Sequence, residues 1–156
     1  MAEASAGPDH GSGPVGHRRS VALDLGSRRI GVAVSDARGT MAFPRPMIER
    51  SGDRVREHRA IATLVDEEHA DVVVVGLPLS LDGRHGAAAR AAVDEATALS
   101  AVLADRGVRV ETFDERLTTV SAHAALAEAG ASSRQRRRSV DSAAATVLLE
   151  AWLAAR

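Results

Sequence analysis

Acidic residues at three places in the sequence could together hold divalent metal ions. Asp24 is the one charged residue of the apolar run at 21–26, where an ionised carboxylate needs hydrogen bonds, a cation or a metal. Glu115 follows the run at 108–113, and Asp141 stands at the predicted start of the last helix. Two ions roughly 3.5–4 Å apart, held by oxygen ligands, can promote an in-line phosphoryl displacement. We therefore predict that Asp24, Glu115 and Asp141 are the metal ligands and catalytic residues of a phosphodiesterase site, with two ions of Mg²⁺ or Mn²⁺.

Each of these acids also has an ordinary structural interpretation. A strand aspartate can accept a structural hydrogen bond, and Asp114-Glu115 after a strand is common in turns. Asp141 in a first helical turn would be favoured by the helix dipole whatever its function. Because successive strand side chains point to opposite faces, either Asp114 or Glu115 could face the ions. We choose Glu115, keep Asp114 as a neighbouring candidate, and interpret Asp36 as a turn former.

The elements that must position these acids can be placed from hydrophobic periodicity and from turn residues. Apolar runs predict strands, and apolar residues at helical spacing between them predict helices. In chain order, the predicted elements are strands at 20–26, 30–35 and within 40–49, a helix at 53–69, a strand at 72–76, a long alanine-rich helix ending before Gly107, a strand at 108–113, a helix from Thr118 or Thr119 to near Gly130, and a helix from Ser139 to about Ala155.

The order of these elements predicts an α/β fold. The opening strands are joined by short turns, which implies antiparallel pairing, whereas the later strands alternate with helices, which implies parallel pairing. We therefore expect a five-stranded mixed sheet with helices on both faces. Ligands in such sheets gather at the carboxyl ends of the parallel strands, and Asp24 and Glu115 lie at or near such ends.

Composition limits the other properties of the chain. Its 156 residues suit one domain at 20–156, preceded by a glycine- and proline-containing leader at 1–19 that we expect to be disordered. A net charge of −1 excludes a globally basic nucleic-acid binder, and the absence of cysteine excludes thiolate metal sites. We expect a cytoplasmic protein without membrane contact, because no window approaches the roughly 18 apolar residues of a membrane span.

Arginines near the predicted site could bind a polynucleotide. Arg28 and Arg29 lie in the turn after the strand of Asp24, and Arg116 directly follows Glu115. A guanidinium group suits phosphate, although an exposed basic turn needs no ligand. With only 2% aromatic residues, we expect recognition through backbone charge and shape rather than base stacking, and therefore salt-sensitive binding. The predicted nucleic-acid-binding residues are Arg28, Arg29, Arg116 and, within the basic cluster at 134–138, Arg136 and Arg137.

Four segments of the sequence closely resemble the YqgF family. Members of this bacterial family are described as pre-16S rRNA nucleases and Holliday-junction resolvases of the RNase H-like fold. The resemblance covers about residues 20–155 and leaves the leader outside. The four segments are Asp24-Leu-Gly-Ser-Arg-Arg-Ile-Gly-Val-Ala-Val-Ser-Asp36, Val-Val-Gly76-Leu-Pro78-Leu-Ser-Leu-Asp82-Gly83, Asp114-Glu-Arg-Leu-Thr-Thr119 and Asp141-Ser-Ala-Ala-Ala.

The resemblance implies a metal-dependent nuclease of RNase H-like fold. The first-strand aspartate, the motif glutamate and the last-helix aspartate of the family fall on Asp24, Glu115 and Asp141. The sequence departs from the family pattern at Ser80, where we expect asparagine, and at Arg84-His85, where we expect small or acidic residues. These departures affect contacts to the substrate rather than the metal site.

Several functions stay open at this point. We favour processing of the 5′ end of pre-16S rRNA in ribosomal precursor particles. Resolution of four-way DNA junctions is an alternative, and it would favour a homodimer over a monomer because paired cuts need paired sites. A catalytically idle nucleic-acid-binding module is a further alternative. A sugar kinase or actin-like ATPase would need two related domains, for which 156 residues leave no room.

Overall fold

The computed structural model describes residues 19–118 and 133–156, apart from the side chains of 117 and 133–142. Short 3₁₀ turns at Ala104–Arg106 and Glu115–Leu117 flank the last strand. The other elements, in chain order, are β1 (Arg19–Leu25), β2 (Arg29–Ser35), β3 (Ala42–Glu49), α1 (Arg54–Glu67), β4 (Ala70–Leu77), α2 (Ala87–Leu103), β5 (Arg109–Asp114) and α3 (Ser133–Ala154).

The described strands form one five-stranded mixed sheet in the order β3-β2-β1-β4-β5. β1 pairs antiparallel with β2, and β2 with β3, as expected for strands joined by short turns. β1 pairs parallel with β4, and β4 with β5, through connections that contain α1 and α2. The prediction of an α/β fold with this mixed sheet is therefore confirmed.

The two faces of the sheet are covered by different helices, as predicted. Because side chains alternate along a strand, neighbouring residues of β1 and β4 enter different cores. The core formed with α1 and α2 contains Val21, Leu23, Val73 and Val75. The core formed with α3 contains Ala22, Val72 and Val74. The central strands are buried on both sides, which explains the unbroken valine run of β4. Each fully buried leucine or valine contributes about 1.5–3 kcal/mol through the hydrophobic effect.

The first helix and the turn before β5 use local signals that the sequence carries. Asp53 caps α1 by accepting a hydrogen bond at Oδ1 from the backbone N–H of Arg56, over 3.2 Å. Gly107 has φ +67°, a left-handed conformation that glycine adopts without strain, and it ends the 3₁₀ turn that continues α2.

The start of the last helix differs from the prediction. α3 begins at Ser133, so Ser139 lies inside the helix and is not its first residue. The basic cluster at 134–138 belongs to the helix rather than to a linker, and Asp141 lies beyond the first helical turn. The physical reason is that arginine and glutamine are good helix formers, so the charged run extends the helix.

Other predicted features fall outside the described residues. The helix predicted from Thr118 or Thr119 to Gly130 lies almost wholly in the stretch 119–132, and residues 1–18 of the predicted leader are also outside. Arg19 belongs to β1, where its Nη1 lies 3.3 Å from Oε2 of Glu68. Within residues 19–118 and 133–156, no helix is long and apolar enough to cross a membrane.

Candidate active site

Strand order brings Asp24 and the end of β5 to the same edge of the sheet. Leu23 pairs with Val75, and Gly76 pairs with Phe113, so Asp24 and the residues after β5 lie on opposite sides of β4 near Gly76. Glu115 begins the 3₁₀ turn that follows β5. Its carboxyl group reaches across β4 and forms a side-chain hydrogen bond with Asp24. Two of the three predicted ligands are therefore in contact.

Gly76 provides the space that this contact needs. A Cβ atom at Gly76 would lie 2.8 Å from Cδ and 3.0 Å from Cγ of Glu115, with Oε1 closer still. Carbon atoms do not approach so closely, so any larger residue would push the glutamate away from β4. In the sequence analysis Gly76 stands only within a family motif and has no role of its own. A glycine inside a valine strand, which often marks a close approach, was the signal for this contact.

Burial and the contact with Asp24 raise the pKa of Glu115 to about 8. Burial is the largest cause, followed by the hydrogen bond to Asp24 and the charges of Asp24 and Asp114. At neutral pH the pair therefore keeps a proton between its two carboxyl groups. A divalent cation bound to both carboxylates would replace that proton, and the oxygen-only donors suit a hard ion such as Mg²⁺ or Mn²⁺.

Asp114 has a different partner. Its Oδ2 lies 2.6 Å from Nη2 of Arg116, and its Oδ1 accepts a hydrogen bond from the backbone N–H of Arg116 over 2.9 Å. The Arg116 guanidinium lowers the pKa of Asp114, so this carboxylate is ionised and paired. Of the two neighbouring acids, it is Glu115 that contacts Asp24. Arg116, predicted to bind nucleic acid, is engaged by a carboxylate of the protein.

The third predicted ligand, Asp141, lies in α3 one helical turn before the buried residue Ala145. Its side chain is outside the described part of the chain, so its place beside Asp24 and Glu115 stays a prediction. Among the side chains that are described, no group of three or more His, Asp and Glu could hold a metal ion.

The predicted phosphate-binding arginines fall into two groups. Arg28 and Arg29 are exposed in and after the turn that follows β1, at the same sheet edge as Asp24. Gly26 makes this turn tight, because a Cβ there would lie 2.5 Å from the carbonyl oxygen of Arg29. Arg136 and Arg137 lie in α3, and their side chains are outside the described part.

A buried ion cluster, which sequence reasoning missed, anchors the Arg28 turn. The backbone N–H of Arg50 donates to the carbonyl oxygen of Arg28 over 2.9 Å. The Arg50 guanidinium lies 3.3 Å from Glu57 and 3.2 Å from Glu95, both of them buried carboxylates of α1 and α2. These pairs tie the exposed turn to the helical layer. No spacing in the sequence signals a contact between three such distant residues.

Asp36 forms the turn that the sequence predicted. Its carboxylate accepts hydrogen bonds from the backbone N–H groups of Thr40 and Met41, over 2.8 and 3.1 Å, and these bonds lower its pKa. Asp36 follows β2, whereas Asp24 pairs with Gly31 near the beginning of that strand. Asp36 is therefore a structural residue.

Comparisons with known proteins agree with this fold and identify a family. A family model described as "RuvX: Holliday junction resolvase" matches residues 18–155. A protein of Mycobacterium sp. (strain KMS) named "Putative pre-16S rRNA nuclease" is 44% identical over 147 residues, which are 94% of this chain and 86% of the relative. A protein of Rhodococcus opacus (strain B4) with the same name is 43% identical over 157 residues, 98% of this chain and 87% of the relative.

A solved structure supports the fold independently. Thermus thermophilus RuvC, in a structure described as a complex with a Holliday junction substrate, has a TM-score of 0.57 over 90% of this chain and 96% of RuvC, at 16% identity. Fold, carboxylate pair and relatives together define a nuclease of the RNase H-like class. The chain belongs to the RuvX family, also called YqgF, as its four motifs indicated.

Substituting Gly76→Ala tests the contact between Gly76 and Glu115. The added methyl group would displace the glutamate from Asp24, and a misplacement of about 1 Å at a catalytic centre can cost roughly 100-fold in rate. We expect a loss of that order in phosphodiester cleavage, with a native circular dichroism spectrum. Gly86→Ala is the matched control, because nothing lies within 4 Å of a Cβ at Gly86. Wild-type cleavage by the Gly76→Ala variant would contradict the assignment.

The raised pKa of Glu115 predicts how the stability of the metal-free protein depends on pH. Between about pH 4.5 and 8 the folded state keeps a proton that the unfolded state has lost, so stability falls as pH rises through this window. We expect the loss to be about 1–2 kcal/mol, because the carboxyl group is partly exposed and solvent screens it. Urea unfolding in EDTA at several pH values measures it.

Glu115→Gln should remove this part of the pH dependence, because the glutamine does not titrate. Glu67→Gln, at an exposed position of α1, is the control and should keep the wild-type slope. If wild-type and Glu115→Gln stabilities change in parallel with pH, the two carboxyl groups do not share a proton.

Proposed function

We propose that this protein is a metal-dependent nuclease that hydrolyses phosphodiester bonds at the edge of the sheet where Asp24 and Glu115 meet. The observation that carries the proposal is the hydrogen-bonded pair formed by these two carboxyl groups. A nuclease of this class needs clustered oxygen ligands, and two half-buried acids in contact are costly unless a proton or a cation compensates their charge. Asp141 of α3 is proposed as the third ligand.

The proposed cofactor is Mg²⁺ or Mn²⁺, with two ions in the site. When bound, such ions neutralise charge on the phosphate and lower the pKa of a water molecule. Glu115 contributes by giving up its shared proton, which converts the pair into two ionised oxygen donors. Arg28 and Arg29 are proposed to bind phosphates of the substrate, and the support is that their turn is exposed beside Asp24. The fold resemblance implies products with a 5′-phosphate and a 3′-hydroxyl.

We propose the 5′ end of pre-16S rRNA, in ribosomal precursor particles of the bacterial cytoplasm, as the substrate. This choice is supported by the names of relatives that are 43–44% identical over most of their length. Resolution of four-way DNA junctions is the second candidate, supported by the description of the family model. A junction enzyme would act as a homodimer, whereas trimming of one RNA strand needs only a monomer.

Asp24→Asn tests the proposed chemistry. The amide keeps the shape of the side chain but removes the charge that attracts a divalent ion. We therefore expect cleavage of a precursor-rRNA 5′ leader with Mg²⁺ to fall at least about 100-fold, the order of loss when charge stabilisation at a catalytic centre is removed. A four-way DNA junction is assayed beside the RNA, and gel electrophoresis of labelled strands separates the products.

Asp36→Asn is the matched control, because Asp36 lies in the turn between β2 and β3 and only forms that turn. It should cleave at close to the wild-type rate. Cleavage at the wild-type rate by Asp24→Asn would contradict the proposed chemistry. An idle nucleic-acid-binding module would instead bind the RNA and cut nothing, in the wild-type protein and in both variants.

A further inference from the structure

Leu81 is a large apolar side chain that the site described above does not use. It lies in the loop between β4 and α2 and is 97% exposed, more than any other large exposed hydrophobic residue in the described part. The next most exposed is Val55 on α1, at 68%. A single exposed leucine needs no explanation by itself. Two further properties indicate a function for Leu81: its loop is rigid, and the loop lies beside the carboxylate pair.

The loop holds Leu81 in a fixed turn. The backbone N–H of Ser80 donates to the carbonyl oxygen of Arg84 over 3.1 Å, and that of Gly83 donates to the carbonyl oxygen of Ser80 over 2.8 Å. The Asp82 carboxylate accepts from the Ser80 hydroxyl over 2.5 Å and from the Arg84 backbone N–H over 3.1 Å. Gly83 has φ +81°, which lets the chain turn back without strain. Little conformational entropy is therefore lost when Leu81 contacts a ligand.

The turn is also fixed beside the carboxylate pair. Its loop follows Leu77, the last residue of β4, and the Glu115 side chain lies over the preceding residue, Gly76. A Cβ at Gly83 would lie 3.5 Å from Nη1 of Arg116, the residue after Glu115, and the charge of Arg116 also acts on Asp82. Arg116, held by Asp114, thus joins the loop to the end of β5. Leu81 therefore stands at a set position relative to the site.

The surroundings of Leu81 suit nucleic acid better than an apolar partner. Arg84 and His85 lie on the same loop. The Arg84 side chain is 86% exposed, and its Nε pairs with the Asp82 carboxylate over 3.3 Å, so the other N–H donors of its guanidinium can contact phosphate. An isolated apolar side chain close to an exposed arginine matches the wedges with which proteins enter a base step while cations contact the backbone. The aromatic residues Phe43, Phe113 and Trp152 lie on β3, β5 and α3, so this loop has no Phe, Tyr or Trp ring to stack on a base.

We propose that Leu81 is a wedge that inserts between stacked bases of the RNA next to the cleaved phosphate. It would hold open the boundary between a duplex and a single strand, so that the strand can reach Asp24 and Glu115. This inference rests on the proposed nuclease function and narrows its substrate to RNA with such a boundary. A continuous duplex has no weakened base step into which Leu81 could insert, and a single strand has no duplex that must be opened.

The first test measures base stacking directly. An RNA hairpin with a 5′ single-stranded leader carries 2-aminopurine at the boundary, where its fluorescence rises when it unstacks. The protein is used with Asp24→Asn, so that the RNA stays intact. We expect binding to raise the fluorescence several-fold. The added change Leu81→Ala should remove most of this rise, and Leu81→Met should keep it. Val55→Ala, at the exposed apolar position on α1, is the control and should match the parent.

The second test measures cleavage with Asp24 intact. Leu81→Ala should lower kcat on the boundary RNA about tenfold and leave kcat on a fully single-stranded RNA within twofold of wild type. A merely structural role of Leu81 would lower both rates equally and would overturn the wedge, as would a fluorescence rise that survives Leu81→Ala. In those outcomes the nuclease proposal stands. If the wild-type protein neither binds nor cuts RNA, the wedge and the proposed RNA substrate fail together, whereas cleavage of a four-way DNA junction would leave the nuclease proposal standing.

Discussion

The repulsion between the carboxyl groups of Asp24 and Glu115 is the constraint to which the rest of the site responds. Two half-buried carboxylates in contact cannot both be ionised without a compensating positive charge. In the metal-free protein a proton supplies that charge, and the pKa of Glu115 rises to about 8. A divalent cation is the stronger compensation, because it interacts with both ionised groups at once. The proposed ion would therefore stabilise the site relative to the metal-free protein.

The packing of the whole sheet holds this unfavourable pair in place against the repulsion between its two carboxyl groups. β1 and β5 flank β4, and cores on both faces hold the strands in register. Between the two acids, Gly76 leaves the surface of β4 open for the glutamate. Asp114 and Arg116, the residues before and after Glu115, form an ion pair that fixes the turn carrying Glu115. Hydrophobic burial fixes the strands and therefore holds the two carboxyl groups together, although their electrostatic repulsion would separate them.

The sheet, and Asp24 and Glu115 as candidate site residues, could be predicted from the sequence because their signals lie in neighbouring residues. The valine run of β4 and the single carboxylate of β1 can be seen in a few neighbouring residues. The choice between Asp114 and Glu115 could not be made this way, because it depends on how a 3₁₀ turn directs two successive side chains. The family motif favoured Glu115, and the contact with Asp24 agrees.

Features that depend on distant contacts were missed or misplaced. The cluster of Arg50, Glu57 and Glu95 joins a strand end to two helices and has no sequence signature. The start of α3 was placed too late, because a run of arginines was interpreted as a linker although arginine favours helices. Asp141 consequently lies well inside its helix rather than at the start.

The most direct measurement of the central claim is anomalous X-ray diffraction from crystals of the protein soaked in Mn²⁺. We predict anomalous peaks within about 2.0–2.3 Å of carboxylate oxygens of Asp24 and Glu115, with Asp141 as a further ligand, since hard divalent ions bind oxygen at such distances. The Asp24–Glu115 hydrogen bond should be gone in that structure. An intact hydrogen bond, with no peak at the pair at saturating Mn²⁺, would contradict the account.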